Sequence, residues 1–568
     1  MTMDWQRSLL IAGMLVVLYM LFLEWDTFQS SQQENQSTVS EETVLAPETA
    51  QTPSDVTPVS VDNEIPALQS DTSPVTSTPV ESTTSETTTD RLLSVSTDVL
   101  NVLIDTRGGD IVRVALPEHL TELEEDSSPF VLLNQTASTT YIAQSGLIGV
   151  DGTDNTEGRP LFKAAKNDYQ LAGDSDQLQV DMVFQQNDVI ITKRFTFSRG
   201  DHLIQVSYLV DNRGTDNWKA GLFGQIKRDS HEPQVATGMG MNPYVGAALR
   251  TTEENYKKLD FGDLAEKPFK DSLTGGWVAM IQHYFISAWI PDQSTTNTFS
   301  LRQLGNQDLY AIGFTSPQKS VEPGTTGEFR AEFYAGPKDQ YRLEKISPYL
   351  DLTVDYGWLW WVSKPLFWVL YQLHELIGNW GWSIILLTIF IKAAFYKLSA
   401  TSYRSMANMR RLQPEMMRLK DLYGDDRQKL SQETMNLYKR EKVNPMGGCL
   451  PILVQMPVFI ALYWVLFESV ELRHAPWILW IQDLSVKDPL FILPLLMGAS
   501  MFIQQKLNPT PPDPTQAKIM QMMPIAFTFF FMFFPAGLVL YWTVNNLLSI
   551  LQQWMITRQI EATSAKKK

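Results

Sequence analysis

Apolar residues are concentrated at the N-terminal tip of the chain and in roughly its last 210 residues, with a long polar stretch between them. The C-terminal runs have membrane length, because a helix needs about 20 mostly apolar residues to cross a hydrocarbon core about 30 Å thick. With the N-terminal run Leu9–Leu23, they predict a polytopic α-helical protein with six membrane helices. The five C-terminal segments are Trp380–Leu398, Cys449–Phe467, Leu490–Leu507, Ala517–Phe534 and Gly537–Ile556.

The N-terminal run lies between Arg7 and Glu24-Trp25-Asp26, which lacks the small residues of a signal-peptide cleavage site. We therefore predict an uncleaved signal-anchor helix at residues 1–25, with a cytoplasmic N-terminus by the positive-inside rule. Residues 26–90 are rich in Ser, Thr, Gln, Glu and Pro. Such a composition cannot bury enough apolar surface to offset chain entropy, so a disordered acidic linker is expected.

Short alternating runs between residues 91 and 349 predict a single large all-β sandwich outside the membrane. Val99–Asp105 and Ile111–Ala115 form one predicted hairpin, and Asp188–Phe197 with His202–Val210 forms another. No carboxylate pair or metal cluster stands out in this part of the sequence. A scaffolding or docking role is therefore favoured over catalysis.

Residues 355–379 are dense in tryptophan and are interrupted by polar side chains. Indole rings concentrate at the level of lipid head groups, so this segment is predicted to be an interfacial amphipathic helix on the outer face.

A charged stretch at residues 400–447 interrupts the predicted membrane core of residues 380–557 and forms a cytosolic hairpin of two helices. Two interpretations remain open: a charged hairpin that rests on lipid head groups, or an adaptable apolar surface built by methionines. The basic tail at residues 558–568 also falls in the cytoplasm. The hairpin side chains singled out are Met406, Met409, Met416, Arg418 and Lys420.

Lys392 lies inside the first apolar segment of the core, roughly 18 Å beyond Trp380 at the rise of an α-helix. That depth places it within the hydrocarbon rather than at a helix end. Charged residues at such depth usually face a bundle interior or a wet cavity. The alternative is that Lys392 snorkels to the nearer head groups, as Lys397 does.

The amide side chains of the other segments fall mainly in their cytosolic halves, while the outer halves are apolar or aromatic. Gln455 is expected at nearly the depth of Lys392, and Asn545 near the middle of the last helix. This asymmetry predicts a hydrophilic groove that opens to the cytosol and is sealed outside, whereas a pore would need polar residues along its whole length. Each amide could instead pair structurally with a neighbouring helix.

Composition excludes several other classes of protein. The formal charge is −17, and its acidic residues lie mainly before the membrane core, which argues against a specific nucleic-acid partner. The single cysteine, Cys449, rules out an internal disulfide or a cysteine-ligated metal site. The six histidines show no HExxH pattern and no phosphate-binding loop occurs, so no cofactor or metal is expected.

Three stretches carry a family resemblance: NPMGGCLPILVQMPVFIALYWVL (Asn444–Leu466), FPAGLVLYW (Phe534–Trp542) and GGWVAM (Gly275–Met280). They closely resemble the YidC family of bacterial membrane protein insertases. The resemblance implies a five-helix core with an extra N-terminal helix and a periplasmic sandwich, in the bacterial inner membrane. It also implies a non-enzymatic insertase and chaperone that takes nascent membrane proteins into the bilayer, alone or with the Sec translocon.

The resemblance also assigns roles to individual positions. A positive charge in the first core helix carries over to Lys392, where the family more often has arginine, so the planar multi-donor fork is lost. The cytosolic hairpin carries over as the substrate-receiving element, and the hairpin and tail as candidate ribosome contacts. Substrate-contact positions carry over to Thr388, Met456, Pro457, Phe459, Tyr541 and Trp542.

Three other functions were weighed. A transporter predicts internal repeats and broken helices at the midplane, which the sequence lacks. An intramembrane enzyme needs a nucleophile and a base in the core, and Glu468 at a helix end has no obvious partner in the sequence. A membrane-anchored sandwich acting only as a chaperone is the third alternative.

Overall fold

A computed structural model describes residues 65–66, 91–124, 127–155, 158–231, 243–424, 426–441, 443, 450–508 and 514–565. The predicted signal anchor at residues 1–25, nearly all of the predicted linker and the tail residues Lys566–Lys568 lie outside these ranges.

The first part of the described chain contains twenty strands; some alternate buried and more exposed side chains, whereas others are buried throughout. They are β1 Leu92–Ser96, β2 Asn101–Asp105, β3 Asp110–Leu120, β4 Pro129–Gln135, β5 Thr140–Ile148, β6 Lys163–Ala164, β7 Asp168–Gln170, β8 Gln177–Gln186, β9 Val189–Ser198, β10 Leu203–Asn212, β11 Trp218–Arg228, β12 Gly246–Leu249, β13 Lys257–Leu259, β14 Phe269–Thr274, β15 Val278–Ile281, β16 Phe285–Pro291, β17 Thr296–Gln303, β18 Tyr310–Thr315, β19 Lys319–Val321 and β20 Thr325–Pro337.

These strands form two sheets, which confirms the predicted β-sandwich. The larger runs β14-β17-β18-β11-β5-β4-β3-β2-β1-β7 with β19 beside β11, and the smaller runs β13-β12-β15-β16-β20-β10-β9-β8-β6. Both predicted hairpins are confirmed, as β2–β3 and β9–β10. The β2–β3 turn needs glycine, because Gly108 and Gly109 have φ of 72° and 66°.

Ten α-helices occur among the described residues. Two short ones belong to the sandwich region, α1 Phe261–Glu266 and α2 Gln340–Ile346. The others are α3 Trp360–Ile377, α4 Trp380–Ala394, α5 Tyr396–Tyr423, α6 Arg427–Arg440, α7 Leu450–Glu468, α8 Ile492–Leu507, α9 Pro514–Phe531 and α10 Ala536–Ala565.

The helix that carries Lys392 is shorter than the sequence predicts. α4 ends at Ala394, and the chain bends by 68° at Phe395 before α5 begins, so Lys392 lies in the last turn of α4. The expectation of one continuous helix from Trp380 to Leu398 was wrong. Apolar residues continue across the bend. A hydropathy pattern therefore cannot show that the helix axis changes direction there.

Helix length and hydropathy leave the predicted spans without individual support. Taken singly, none of the helices in the described ranges is both long and apolar enough to cross a bilayer, whereas α4 and α5 meet that test jointly, as a bent pair.

The smaller sheet shares a hydrophobic core with the helices. Trp277, Ile286 and Tyr334 of the sheet region pack in one cluster with Leu466 and Leu484 of the helical region. This shared core fixes the sandwich directly against the end of α7.

Polar contacts cross the same boundary. Lys338 Nζ lies 2.6 Å from Glu468 Oε2, and both side chains are at most 5% exposed. The expectation that Glu468 lacks a partner was therefore wrong, because its partner lies 130 residues away, just after β20. Nε2 of His283 is 2.9 Å from the carbonyl oxygen of Phe467, and Arg473 donates to the carbonyl of Leu120 at 2.5 Å.

Candidate functional site

Lys392 opens onto a recess between the end of α4, the start of α5 and the first turns of α7. Its cavity volume is about 10 Å³, which is room for about one water molecule. Lys392 is half-buried, so its ammonium reaches the recess without being fully solvated. We call this space the Lys392 recess; its lining residues are Ile391, Lys392, Phe395, Leu398, Ser399, Val454 and Gln455.

A chain of hydrogen bonds links three helices beside the recess. Lys392 Nζ donates to Ser549 Oγ at 2.7 Å, and Ser549 Oγ donates to the Asn545 carbonyl at 2.7 Å. The Gln455 amide donates to Asn545 Oδ1. The structure therefore brings the sequence-predicted Lys392, Gln455 and Asn545 together, with α10 as the bridge.

Ser549 was missed by the sequence reasoning, although a signal was present. It lies four residues after Asn545, which places both on one face of α10. Gln552 continues this face and donates to the Tyr396 carbonyl at 3.4 Å. A serine four residues from a singled-out asparagine, in an apolar helix, is the pattern that could have found it.

The charge of Lys392 is not paired with an acid. Across the ranges that the structure describes, no carboxylate lies within ion-pair distance of its ammonium, and Ser549 is the neutral partner that it contacts. In the same ranges, no group of three or more metal-ligating side chains comes close enough to hold a metal ion. The recess is therefore a cationic site suited to binding an anion electrostatically.

An aromatic flank adjoins the polar chain on the same helices. The Phe459 ring meets Trp542 edge-on, with centroids 4.4 Å apart, and stacks on Tyr541 at 6.4 Å. Met456 on α7 is 45% exposed, whereas Tyr541 is buried. Pro457 lies inside α7 next to Met456. Phe459, Tyr541 and Trp542 thus form an aromatic cluster between α7 and α10, with Met456 and Pro457 directly after Gln455 on α7.

Thr388 does not line the recess. Its side chain is fully buried one turn before Lys392, and its hydroxyl donates to the Ile384 carbonyl of its own helix at 2.7 Å. Its hydroxyl is therefore already committed within α4.

Other amides act between helices, as the alternative interpretation allowed. Asn546 donates to Ser500 Oγ of α8 at 3.2 Å, and Gln553 donates to Asn508 Oδ1 at 3.1 Å. These groups lie on a different face of α10 from Asn545 and Ser549. The amides thus divide into a set beside the recess and a set that joins α10 to α8.

The helical hairpin of α5 and α6 uses some of its predicted methionines internally. Met406 packs near Ile556 of α10, and Met416 Sδ accepts a hydrogen bond from Tyr438 at 3.3 Å. Met409 is half-buried, while Arg418 and Lys420 are exposed. The open methionines are Met417 and Met435, at 63% and 49% exposure, which the sequence reasoning did not single out.

Comparison with known proteins places the chain among its relatives. Residues 92–369 match the YidC periplasmic domain family, and residues 372–564 match the 60Kd inner membrane protein family. The membrane protein insertase YidC of Cellvibrio japonicus is 54% identical over 568 residues, covering 99% of this chain and 100% of the relative. That of Saccharophagus degradans is 53% identical over 570 residues, covering 98% and 100%.

A crystal structure of an active YidC insertase with its first transmembrane domain resolved is 19% identical and has a TM-score of 0.37, covering 83% of this chain and 92% of that one. Both parts of the chain match the family, and full-length relatives share more than half of its residues. The chain therefore belongs to the YidC family of membrane protein insertases.

Proposed function

We propose that this protein inserts hydrophobic segments of nascent proteins into the bacterial inner membrane through the Lys392 recess, and assists their folding there. The observation that carries the proposal is that Lys392 lines a recess without a carboxylate partner among the described residues. The aromatic side chains of α7 and α10 lie beside it. The recess serves as the cytosol-open hydrophilic groove.

Membrane topology is part of the proposal. Helices α4, α7, α8, α9 and α10 cross the bilayer with the N-terminal helix, both termini are cytoplasmic, and the sandwich is periplasmic. The side chains of Trp358, Trp360, Trp361 and Trp368 around α3 are exposed by 54–72%, which supports an interfacial position for that helix.

The mechanism follows from where the polar groups lie. A polar tail that crosses hydrocarbon alone pays the full desolvation cost of its charges, whereas a wet recess with a cation shortens that path. An acidic tail is drawn to Lys392 while the apolar segment follows the Met456–Phe459 and Tyr541–Trp542 flank. Burial of apolar surface in lipid then drives release, at about 25 cal/mol per Å², and no covalent bond changes.

The partners follow from the same scheme. Nascent membrane proteins are the substrates, and the Sec translocon is a second partner for substrates that need it. The hairpin offers exposed Met417 and Met435 beside basic side chains, which supports it as the first receiver of emerging chains and as a ribosome contact.

Charge substitutions at Lys392 test the proposal. Full-length protein in liposomes is given a stalled membrane protein with an acidic N-terminal tail, and protease protection of the tail measures insertion. Lys392→Arg should retain insertion. Lys392→Glu should lower it by about tenfold or more, because the anion now meets a like charge.

Lys397→Glu, at an exposed lysine of the neighbouring helix, is the matched control and should change insertion little. Equal insertion by Lys392→Glu and Lys392→Arg would refute the electrostatic role of the recess.

A further inference from the structure

We propose that Ser549 is a positioning residue that holds the Lys392 ammonium at the recess, so that its two remaining N–H donors receive one carboxylate of an incoming tail. This role rests on the insertase function proposed above and narrows its substrate class. The favoured substrates are translocated tails that carry one acidic residue at a time into the recess.

The direction of the hydrogen bonds supports this role. Ser549 Oγ gives its only hydrogen to the Asn545 carbonyl, so it faces Lys392 with its lone pairs. An ammonium has three donors and one is used by Ser549, which leaves two. Ser549 therefore acts on the lysine and has no hydrogen left for a substrate carboxylate.

The position of Lys392 needs such a tether. Lysine carries its charge on a flexible four-carbon stem and loses considerable rotamer entropy when it is fixed. Without a partner, the ammonium gains by snorkelling toward the cytosolic head groups. The bond to α10 opposes that movement, so Ser549 decides between the two positions of Lys392 that the sequence alone leaves open.

The neighbouring polar groups limit the site to one negative charge. The Gln455 amide is already engaged with Asn545, and no second cation lines the recess among its described residues. Two free donors on one ammonium match one carboxylate. A second carboxylate in the recess would remain unpaired in a medium of low dielectric, which is unfavourable.

Insertion of three matched substrates tests the role: tails with no acid, one Asp, or two adjacent Asp residues. Wild-type protein in liposomes should insert the one-Asp tail about tenfold faster than the neutral tail, the usual size of a charge-assisted hydrogen bond, with no further gain from the second Asp. Ser549→Ala should abolish this one-Asp advantage, measured as the ratio of the one-Asp rate to the neutral-tail rate of the same variant.

Two serine variants control for folding and chemistry. Ser549→Thr keeps the hydroxyl and should restore the advantage. Ser500→Ala removes a buried hydroxyl that serves α10 through Asn546 on a different face, and should leave the advantage intact.

An unchanged advantage in Ser549→Ala overturns the positioning role, and so does an equal loss for all three tails, which would indicate a structural role. Lys392→Met separates the two levels of the proposal. If Lys392→Met keeps the one-Asp advantage, the charge-based function proposed above is refuted. If Lys392→Met loses the advantage but Ser549→Ala keeps it, only the role of Ser549 is refuted.

Discussion

Lys338 and Glu468 are a buried pair formed by two residues 130 positions apart, one beside the sandwich and one at the end of α7. Removing one member of such a pair leaves the other charge buried without compensation, which typically costs about 3–5 kcal/mol. Because α7 also carries Gln455 and Phe459, the pair anchors the helix that forms one wall of the recess.

Lys338→Met should therefore lower the free energy of unfolding by about 3–5 kcal/mol, seen as a lower thermal midpoint of the detergent-solubilised protein. Adding Glu468→Gln should recover part of the loss, since no charge then stays buried alone. Arg440→Met breaks an exposed pair with Glu415 and should cost less than about 1 kcal/mol. A single-variant loss as small as that of Arg440→Met would contradict the anchoring role.

Individual site residues were predictable from sequence to the extent that their signal was local. Lys392 stood out because a charge in an apolar run is costly, and Gln455 because helical rise gave its depth. The partner of Glu468 could not be found, because its position depends on the folded sandwich. Ser549 escaped attention because serine is tolerated in apolar helices and carries no charge.

Helices α8 and α9 meet at a glycine that admits no side chain. A Cβ at Gly498 would lie 1.9 Å from Thr528 Oγ1, and that hydroxyl is held by a hydrogen bond to the Pro524 carbonyl. The contact permits close approach of the two backbones, as small residues commonly do between membrane helices.

Gly498→Val should therefore separate α8 from α9 and lower the free energy of unfolding by about 1–3 kcal/mol, measured by thermal unfolding in detergent. Ala499→Val places the same side chain at an exposed neighbouring position and should be nearly neutral. Thr528→Ala, combined with Gly498→Ala, should relieve most of the clash of the alanine. Equal stability of the two valine variants would show that the helices are not in close contact there.

Helices and strands could be predicted where the periodicity of apolar residues was strong. They could not be separated where two consecutive helices had the same apolar composition. The two β-hairpins followed from the alternation of apolar and polar residues. The bend at Phe395 was not predictable from hydropathy, because the apolar residues continue across it.

The boundary between the sandwich and the helices contains histidines that are kept neutral. Burial lowers the pKa of His283 to about 3, with Lys338 adding repulsion, and burial lowers the pKa of His119 and His202 to about 4. Tyr284, Lys338 and Arg473 lie near His283, and among the described residues no carboxylate raises its pKa. The docked protein thus resists protonation at these positions.

Stability should fall as the pH drops from about 6.5 toward 4, because the unfolded chain then binds protons that the folded chain excludes. His283 alone should contribute on the order of 2 kcal/mol over that range. Thermal midpoints measured against pH should show a shallower slope for His283→Gln than for wild type, while His231→Gln, at an exposed site, should keep the wild-type slope. Identical slopes for all three proteins would contradict this account.

The division of the molecule into a β-sandwich and a helical part could be predicted, because the two parts differ in hydrophobic period. The packing of the two parts against each other could not be predicted. The shared core around Trp277 and Leu466 consists of apolar residues that would be expected to be buried within each part separately.

The 68° bend beside Lys392 also determines how far the tip of the hairpin moves when the angle between α4 and α5 changes. α5 contains 28 residues, so its far end at Tyr423 lies about 42 Å from the bend along the helix. A change of about 10° at Phe395 would move that end by about 7 Å. A small rotation at Phe395, three residues from the charge in the recess, is therefore amplified into a large displacement at the far end of the hairpin.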